Sequence, residues 1–290
     1  MNRKNYLTFF LFLFVFFNPI NSVAESKNFK SWFVGLKSRL RTKKISKVTI
    51  DKYLPTNIKL IPKVIELDRN QPEYKLSFNK YYKLCAGPKV KRDAIKLLKI
   101  HRNKLLEIEG KYKVGRQYIV ALWAIESRFG RNLGKYPVIN SLVTLAYDGR
   151  RPNFFEQELG ILLKLIDEGK IKNKNVIKGS WAGALGNFQF MPSSYARYGV
   201  DHNGNGQIDL WNELDDAFAS AANYLASHGW QYKEPCMQKV TIAKNFNLNA
   251  QISDKKRIRV AEWQKAWLKP NKGREVLKIQ FNWTLNRIRS

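Results

Sequence analysis

Tyr118-Ile119-Val120-Ala121-Leu122-Trp123-Ala124-Ile125-Glu126-Ser127-Arg128-Phe129-Gly130 is apolar from its first residue up to a single carboxylate, Glu126. The spacing of Ile119, Leu122, Trp123 and Ile125 predicts a buried helix that ends near Gly130. On such a helix Glu126 shares a face with Leu122 and Trp123, one turn back. Burial against Leu and Trp disfavours the ionised form, so the carboxyl keeps a proton to donate near neutrality. A glycosidase general acid needs this property. A helix-end Glu paired with Arg128 or Arg131 fits the same residues, and this stretch alone leaves both readings open.

Downstream, Lys178-Gly179-Ser180-Trp181-Ala182-Gly183-Ala184-Leu185-Gly186-Asn187-Phe188-Gln189-Phe190-Met191-Pro192 is rich in small residues. These let the backbone approach a ligand or a helix closely, and Ser180 and Gln189 are polar groups available within it. Tight packing ending in a turn at Pro192 is the competing reading. Around these stretches the pattern is helical. An amphipathic piece runs from Phe29 to Leu40, and residues 54–67 read as a connection. Residues 89–113 read as one long helix carrying Ile95, Leu97, Leu98, Ile100, Leu105, Leu106 and Ile108. Leu142 to Tyr147, Leu159 to Ile166 and 215–228 are helical, the last packing through Ala217, Ala221, Ala222 and Leu225. After Trp230 the runs Val240–Ile242 and Val276–Ile279 are strand-like. The fold class is mainly α (α+β).

Asp201-His202-Asn203-Gly204-Asn205-Gly206-Gln207-Ile208-Asp209 matches the first nine positions of an EF-hand loop. Asp201, Asn203 and Asn205 would offer side-chain oxygens and Gln207 its carbonyl. Position 12 is Asn212 instead of the usual Glu. An Asx-rich turn without metal is the alternative.

Arg3 and Lys4, the apolar run Leu7 to Phe17 and the small residues Ser22 and Ala24 have the anatomy of a secretory signal cut after Ala24. The run is too short to span a bilayer comfortably. No cysteine follows it for lipidation, so a periplasmic location is expected. The formal charge of +29 becomes +27 after that cut, and such a field attracts polyanions. Outside the cytoplasm these are cell-wall polymers and anionic lipid headgroups, with nucleic acid excluded as a partner. Cys85 and Cys236 could form a disulfide in that compartment, and His101, His202 and His228 have no metal-ligand spacing.

Glu126–Gly130, Arg150-Arg151, Gly179–Tyr195 and Ala222–Leu225, together with Leu67–Glu73 and Phe78–Tyr81, resemble the membrane-bound lytic transglycosylase B family. The resemblance runs from about Ile65 to Trp267. It implies a lysozyme-like helical catalytic domain (67–267) with an EF-hand-like loop (201–216). The expected division of the rest is a signal peptide (1–24), a basic N-terminal segment packed on the domain (25–66) and a short C-terminal tail (268–290). The resemblance implies that Glu126 is the single catalytic acid/base and that Ser180 contacts it. Tyr81, Gln189 and Tyr224 would line a glycan cleft, and Arg150 and Arg151 would meet the saccharide or its peptide stem. Asn187 and Phe188 fall at variable positions of the family and are expected in the cleft wall. The family's loop is lengthened and closed by an Asp before Ala, which Asp216 matches, with Asp215 beside it. A structural Ca²⁺ follows, and no cofactor for the chemistry. The family's closing helix has no counterpart after Arg287, which would leave one cleft wall open.

A hydrolase needs a second carboxylate, and these motifs hold none. The implied activity is therefore cleavage of peptidoglycan glycan strands between MurNAc and GlcNAc with 1,6-anhydro-MurNAc ends. A muramidase using water and a non-catalytic wall-binding protein are the alternatives. An anionic membrane surface and cell-wall synthesis proteins are candidate further partners.

Overall fold

The computed structural model describes residues 25–70, 77–171, 176–234, 240–242 and 268–270. The expected signal sequence, Cys236 and Val276–Ile279 lie outside them. Among the described residues the elements are α1 (Glu25–Thr42), α2 (Lys47–Tyr53), α3 (Pro62–Arg69), α4 (Phe78–Ala86), α5 (Pro88–Ile100), α6 (Arg102–Tyr112) and α7 (Arg116–Ser127). There follow β1 (Tyr136–Pro137), α8 (Val138–Asp148), α9 (Pro152–Asp167), β2 (Lys178–Gly179), α10 (Pro192–Tyr198), α11 (Leu214–Ser227), β3 (Val240–Ile242) and β4 (Leu268–Pro270). The expectation of a mainly helical chain holds.

The chain divides into two units, Val15–Tyr232 and a second made of Met1–Phe14 with Lys233–Ser290. In the second, β3 pairs antiparallel with β4, Val240 opposite Pro270. The first unit has one apolar core. Leu36 and Leu40 of α1, Ile50 of α2, Ile119 and Trp123 of α7, Leu142 of α8, Leu159 and Leu162 of α9 and Phe218 of α11 are all buried in it. Each fully buried side chain of this kind contributes about 1.5–3 kcal/mol. Residues 33–64 thus share the core of the domain they precede.

The structure differs from the sequence reading in three places. The supposed connection 54–67 contains the start of α3, where Pro62 sits in the first turn with its φ already helical. The supposed long helix 89–113 breaks at His101, which closes α5 and opens α6. Its ring lies edge-on to Trp123 and Phe218 at 5.8 and 5.7 Å. The apolar stripe stays in phase across this break, and neither Pro nor Gly marks it. In α7 the buried face is Ile119, Val120, Trp123, Ala124 and Ser127, while Ile125 is 49% exposed.

α7 packs against α4, α5, α6 and α11, so its last turn is enclosed by helices on several sides. β1 pairs with β2, Tyr136 opposite Gly179, which brings the glycine-rich segment against the chain leaving α7. Its far end is held by Glu158. This buried acid on α9 accepts the Ser193 N–H at 2.8 Å and the Ser193 hydroxyl at 2.6 Å, capping α10 from another helix.

Candidate active site

After Glu126 and Ser127 the backbone turns left-handed for three residues, with Arg128, Phe129 and Gly130 at φ 51, 62 and 77°. A non-glycine residue in this region costs about 1 kcal/mol. The turn is held by N–H groups of Phe129 on the Trp123 carbonyl (3.0 Å) and of Asn132 on the Ser127 carbonyl (2.8 Å). Ser127 Oγ accepts the Gly130 N–H at 2.9 Å. The helix therefore stops one residue after the acid and leaves Glu126 at its rim.

Glu126 is half-buried, and burial alone raises its carboxyl to about 7. Among the described residues it has no hydrogen bond and no ion pair. The ion-pair reading fails on specific partners: Arg131 pairs with Asp93 at 3.1 Å, and the exposed Arg128 occupies the left-handed helix cap. No other carboxylate contributes to the shift. The shift comes from burial, as the acid's place on the face of Leu122 and Trp123 predicts.

Tyr224 on α11 faces it. The Tyr224 phenol is raised by burial first, then by Tyr198 and by the charge of Glu126. Its ring sits 5.6 Å from Phe190, 5.0 Å from Tyr198 and 4.2 Å from His228. The reading of the sequence missed Tyr198 and His228; an aromatic spaced four residues after Tyr224 was the available signal. Tyr81 is half-buried on α4, the helix packed beside α7.

The glycine-rich segment folds back on itself. Leu185 and Phe190 exchange N–H to carbonyl bonds at 2.8 and 3.0 Å, closing a turn over Gly186–Gln189. Gly186 has φ 68°, and a Cβ there would lie 2.5 Å from the Leu210 carbonyl oxygen. Gln189 also has φ 49° and donates from Nε2 to the Gly186 carbonyl at 2.8 Å. Ser180 Oγ accepts the N–H of Ala182 at 3.2 Å and of Ala184 at 2.9 Å, leaving its hydroxyl proton for another acceptor. It makes no direct bond to Glu126. Asn187 and Phe188 are buried, 3% and 5% exposed, and so belong to the core behind the cleft instead of its wall. Asn187 Oδ1 accepts the Trp123 indole N–H at 2.7 Å, and its neighbour Phe188 packs on Phe218.

Arg150 and Arg151 converge on Asp68, which is 2% exposed. Arg150 Nη1 donates to Asp68 Oδ2 at 2.7 Å and to its carbonyl at 2.6 Å, and Arg151 Nη2 donates to Oδ1 at 2.7 Å. The Arg151 guanidinium also lies over Phe155 at 4.8 Å. These bonds clamp the end of α3 to the α8–α9 junction. Cys85 on α4 forms no disulfide among the described residues, and its expected partner Cys236 lies outside them.

In the 201–216 loop, Asp201 accepts the N–H groups of Gly204, Asn205 and Gly206 at 2.7–3.1 Å. Asn203 and Asn205 turn their amides to Glu213, Asn205 at 3.0 Å. Asp216 is fully buried and spends its oxygens on the N–H groups of His202 (2.8 Å) and Asp209 (2.9 Å). Asp215 pairs with Lys104. The carboxylate that faces the loop is Glu213, which the sequence reading passed over because it lies one place beyond the usual EF-hand length.

A model of the transglycosylase SLT domain family matches residues 28–287. The chain belongs to this family. Membrane-bound lytic murein transglycosylase B of Escherichia coli (strain K12) is 42% identical over 120 residues, 41% of this chain and 33% of that protein. The chain thus spans about a third of the length of this curated relative. SltB3 from Pseudomonas aeruginosa, crystallised with NAG-NAM-pentapeptide, superposes with a TM-score of 0.79 at 33% identity, over 86% of this chain and 66% of that one. Lytic transglycosylase Slt35 of Escherichia coli in complex with calcium gives 0.68 at 28% identity, over 84% and 76%. The fold of this family member is accordingly that of the lysozyme-like lytic transglycosylases.

Proposed function

We propose that this protein is a lytic transglycosylase that cleaves the β-1,4 bond between MurNAc and GlcNAc in peptidoglycan. The observation that carries the reading is Glu126: a carboxyl raised by burial, without a cation, and without a second carboxylate acting on it. Titrating at about 7, it is divided between acid and base near neutrality, as one group serving both roles must be. Glu126 first donates its proton to the glycosidic oxygen, and the bond from that oxygen to MurNAc C1 breaks. The N-acetyl oxygen of the same sugar stabilises the cationic C1. Glu126, now a carboxylate, takes the proton of the C6 hydroxyl, and O6 bonds to C1. The product is a 1,6-anhydro end, and no water is consumed. A hydrolase would need a second carboxylate to attack or to activate water. SltB3 has been crystallised with both NAG-NAM-pentapeptide and NAG-anhNAM-pentapeptide, which supports the same substrate and product class here.

Tyr81, Gln189 and Tyr224 are the proposed cleft walls, Tyr224 through ring stacking on sugars. Ser180 has a hydroxyl proton to offer, and Arg150 has an edge exposed for the peptide stem. The protein acts in the periplasm after signal cleavage, and its basic surface favours anionic wall polymers.

The groups proposed as ligands in the 201–216 loop are all oxygen donors, which suits Ca²⁺, while His202 of the same loop turns its ring to Glu107. Asp201, Asn203, Asn205, the Gln207 carbonyl and Glu213 would hold the ion, with Asp216 bracing the loop beneath. Bound there, Ca²⁺ would stiffen the connection between α10 and α11, and it takes no part in the chemistry. Only two of the proposed ligands, Asp201 and Glu213, are carboxylates, and a low-affinity site follows.

Mass spectrometry of sacculi digested by wild type and Glu126→Gln tests the function. Anhydro-muropeptides from the wild type and none from the variant are expected. Reducing ends would mean a muramidase, and binding without release a wall-binding protein.

A further inference from the structure

Asn187 is buried at 3% exposure, yet every polar atom of its side chain is used. Oδ1 accepts Trp123 Nε1–H at 2.7 Å, and Nδ2 donates to the carbonyls of Leu210 at 3.0 Å and Trp211 at 2.9 Å. Its backbone N–H donates to the Leu210 carbonyl at 2.8 Å. An indole N–H only donates and a carbonyl only accepts, so these partners allow one orientation of the amide. Three pieces of chain meet at this residue: the last turn of α7, the Gly186–Gln189 turn and the end of the 201–212 loop.

The junction is close to the acid on two sides. Trp123 lies one helical turn before Glu126 on the same face, and its carbonyl receives the Phe129 N–H that starts the left-handed turn. Gly130 ends that turn, and a Cβ there would lie 2.6 Å from Asn187 Oδ1. Gln189, a proposed cleft residue, follows Asn187 by two residues within the same closed turn. A buried amide with several partners fixes geometry more sharply than apolar packing does, because losing any one bond leaves an unpaired group in a dry site.

We propose that Asn187 is a positioning residue for Glu126, holding the end of α7 at a set height against the Gln189 turn and tying both to the 201–212 loop. The proposal rests on the transglycosylase reading of Glu126. Asn187 touches no substrate; it acts through Trp123. Removing its amide lets the end of α7 shift and water reach the acid, so the protonated form is less favoured.

The test compares wild type, Asn187→Ala, Trp123→Phe and Ile50→Val. Trp123→Phe keeps an aromatic side chain and removes the indole N–H together with the five-membered ring, so it breaks the same bond from the helix side if Asn187→Ala fails to fold. Ile50→Val trims the core on α2 and controls for lost stability. Glu126 titration is followed by carboxyl ¹³C NMR, assigned with Glu126→Gln, and turnover by anhydro-muropeptide release against pH. For Asn187→Ala the Glu126 midpoint moves down from about 7 toward the ordinary carboxylate range, and kcat falls about ten- to a hundredfold with KM nearly unchanged. Trp123→Phe moves the midpoint the same way by less. The proposal is overturned if both variants titrate Glu126 as wild type does, or lose no more turnover than Ile50→Val. A midpoint that moves in a wild type and variant set releasing no anhydro product would uphold the positioning role and sink the transglycosylase reading.

Discussion

Arg131 Nη1 pairs with Asp93 Oδ2 at 3.1 Å, on α5, and not with Glu126. The charge that could have neutralised the acid is spent elsewhere, and Glu126 answers to burial alone. This has a consequence for stability as well as chemistry. The fold raises the carboxyl from 4.5 to about 7, so the native state binds its proton more tightly than the unfolded chain does. Stability therefore falls as pH rises from about 4.5 to 7 and stays level above. Glu126→Gln should melt higher than wild type at pH 8, by the equivalent of a few kcal/mol at most, with the gap closing by pH 4. Scanning calorimetry at the two pH values checks it, and equal gaps would mean the acid is not buried in solution.

The same titration sets the pH profile. The first step needs protonated Glu126, so kcat/KM should decline as pH rises through about 7. Initial rates on solubilised glycan strands from pH 5 to 9 would show the limb. A limb centred near 4.5 would contradict the burial.

Gly134 and Gly204 both have positive φ, 86 and 72°, but differ in surroundings. A Cβ on Gly134 would lie 2.0 Å from the Gly179 carbonyl, while one on Gly204 meets nothing within 4 Å. Gly134→Ala should cost at least about 3 kcal/mol, because backbone must move and β2 carries Ser180 with it. Gly204→Ala should cost about 1 kcal/mol, the price of the dihedral alone. Urea denaturation of the two variants makes the comparison.

Asp68 takes hydrogen bonds from both Arg150 and Arg151, across 82 and 83 residues of chain. Asp68→Asn should cost about 2 kcal/mol after allowance for the partial exposure of the two guanidiniums. In a double-mutant cycle with Arg150→Ala the losses should be less than additive. Additive losses would show that the clamp carries no coupling and would leave Arg150 to the saccharide.

Glu213 faces Asn203 and Asn205, whereas Asp216 is tied to backbone amides. Calorimetric titration should show weak Ca²⁺ binding to wild type, in the upper part of the micromolar to millimolar range. Glu213→Gln should abolish the heat without unfolding the protein. Asp216→Asn should lower the melting temperature even without Ca²⁺. Binding retained in Glu213→Gln would return the closing role to Asp215 or Asp216.

The sequence by itself determined the helix that carries Glu126 near its end and the apolar face that the acid shares. Apolar spacing within one helix is a local property, and residues three and four apart share a face whatever the rest of the chain does. It also determined the glycine-rich segment and the oxygen-bearing loop, whose backbone demands are equally local. Tertiary structure alone decided between the ion pair and the lone acid, because that depended on Asp93 lying within reach of Arg131. It placed Asn187 in the core, where the position in the motif suggested cleft wall, because an indole N–H and two carbonyls converge there to satisfy it. It made Glu158 the cap of α10, Asp68 the clamp on two arginines and Glu213 the carboxylate of the loop. Each of these is a polar bond between residues distant in sequence or off the expected spacing. Periodicity reports which face a residue takes, and only packing reports which partner waits there.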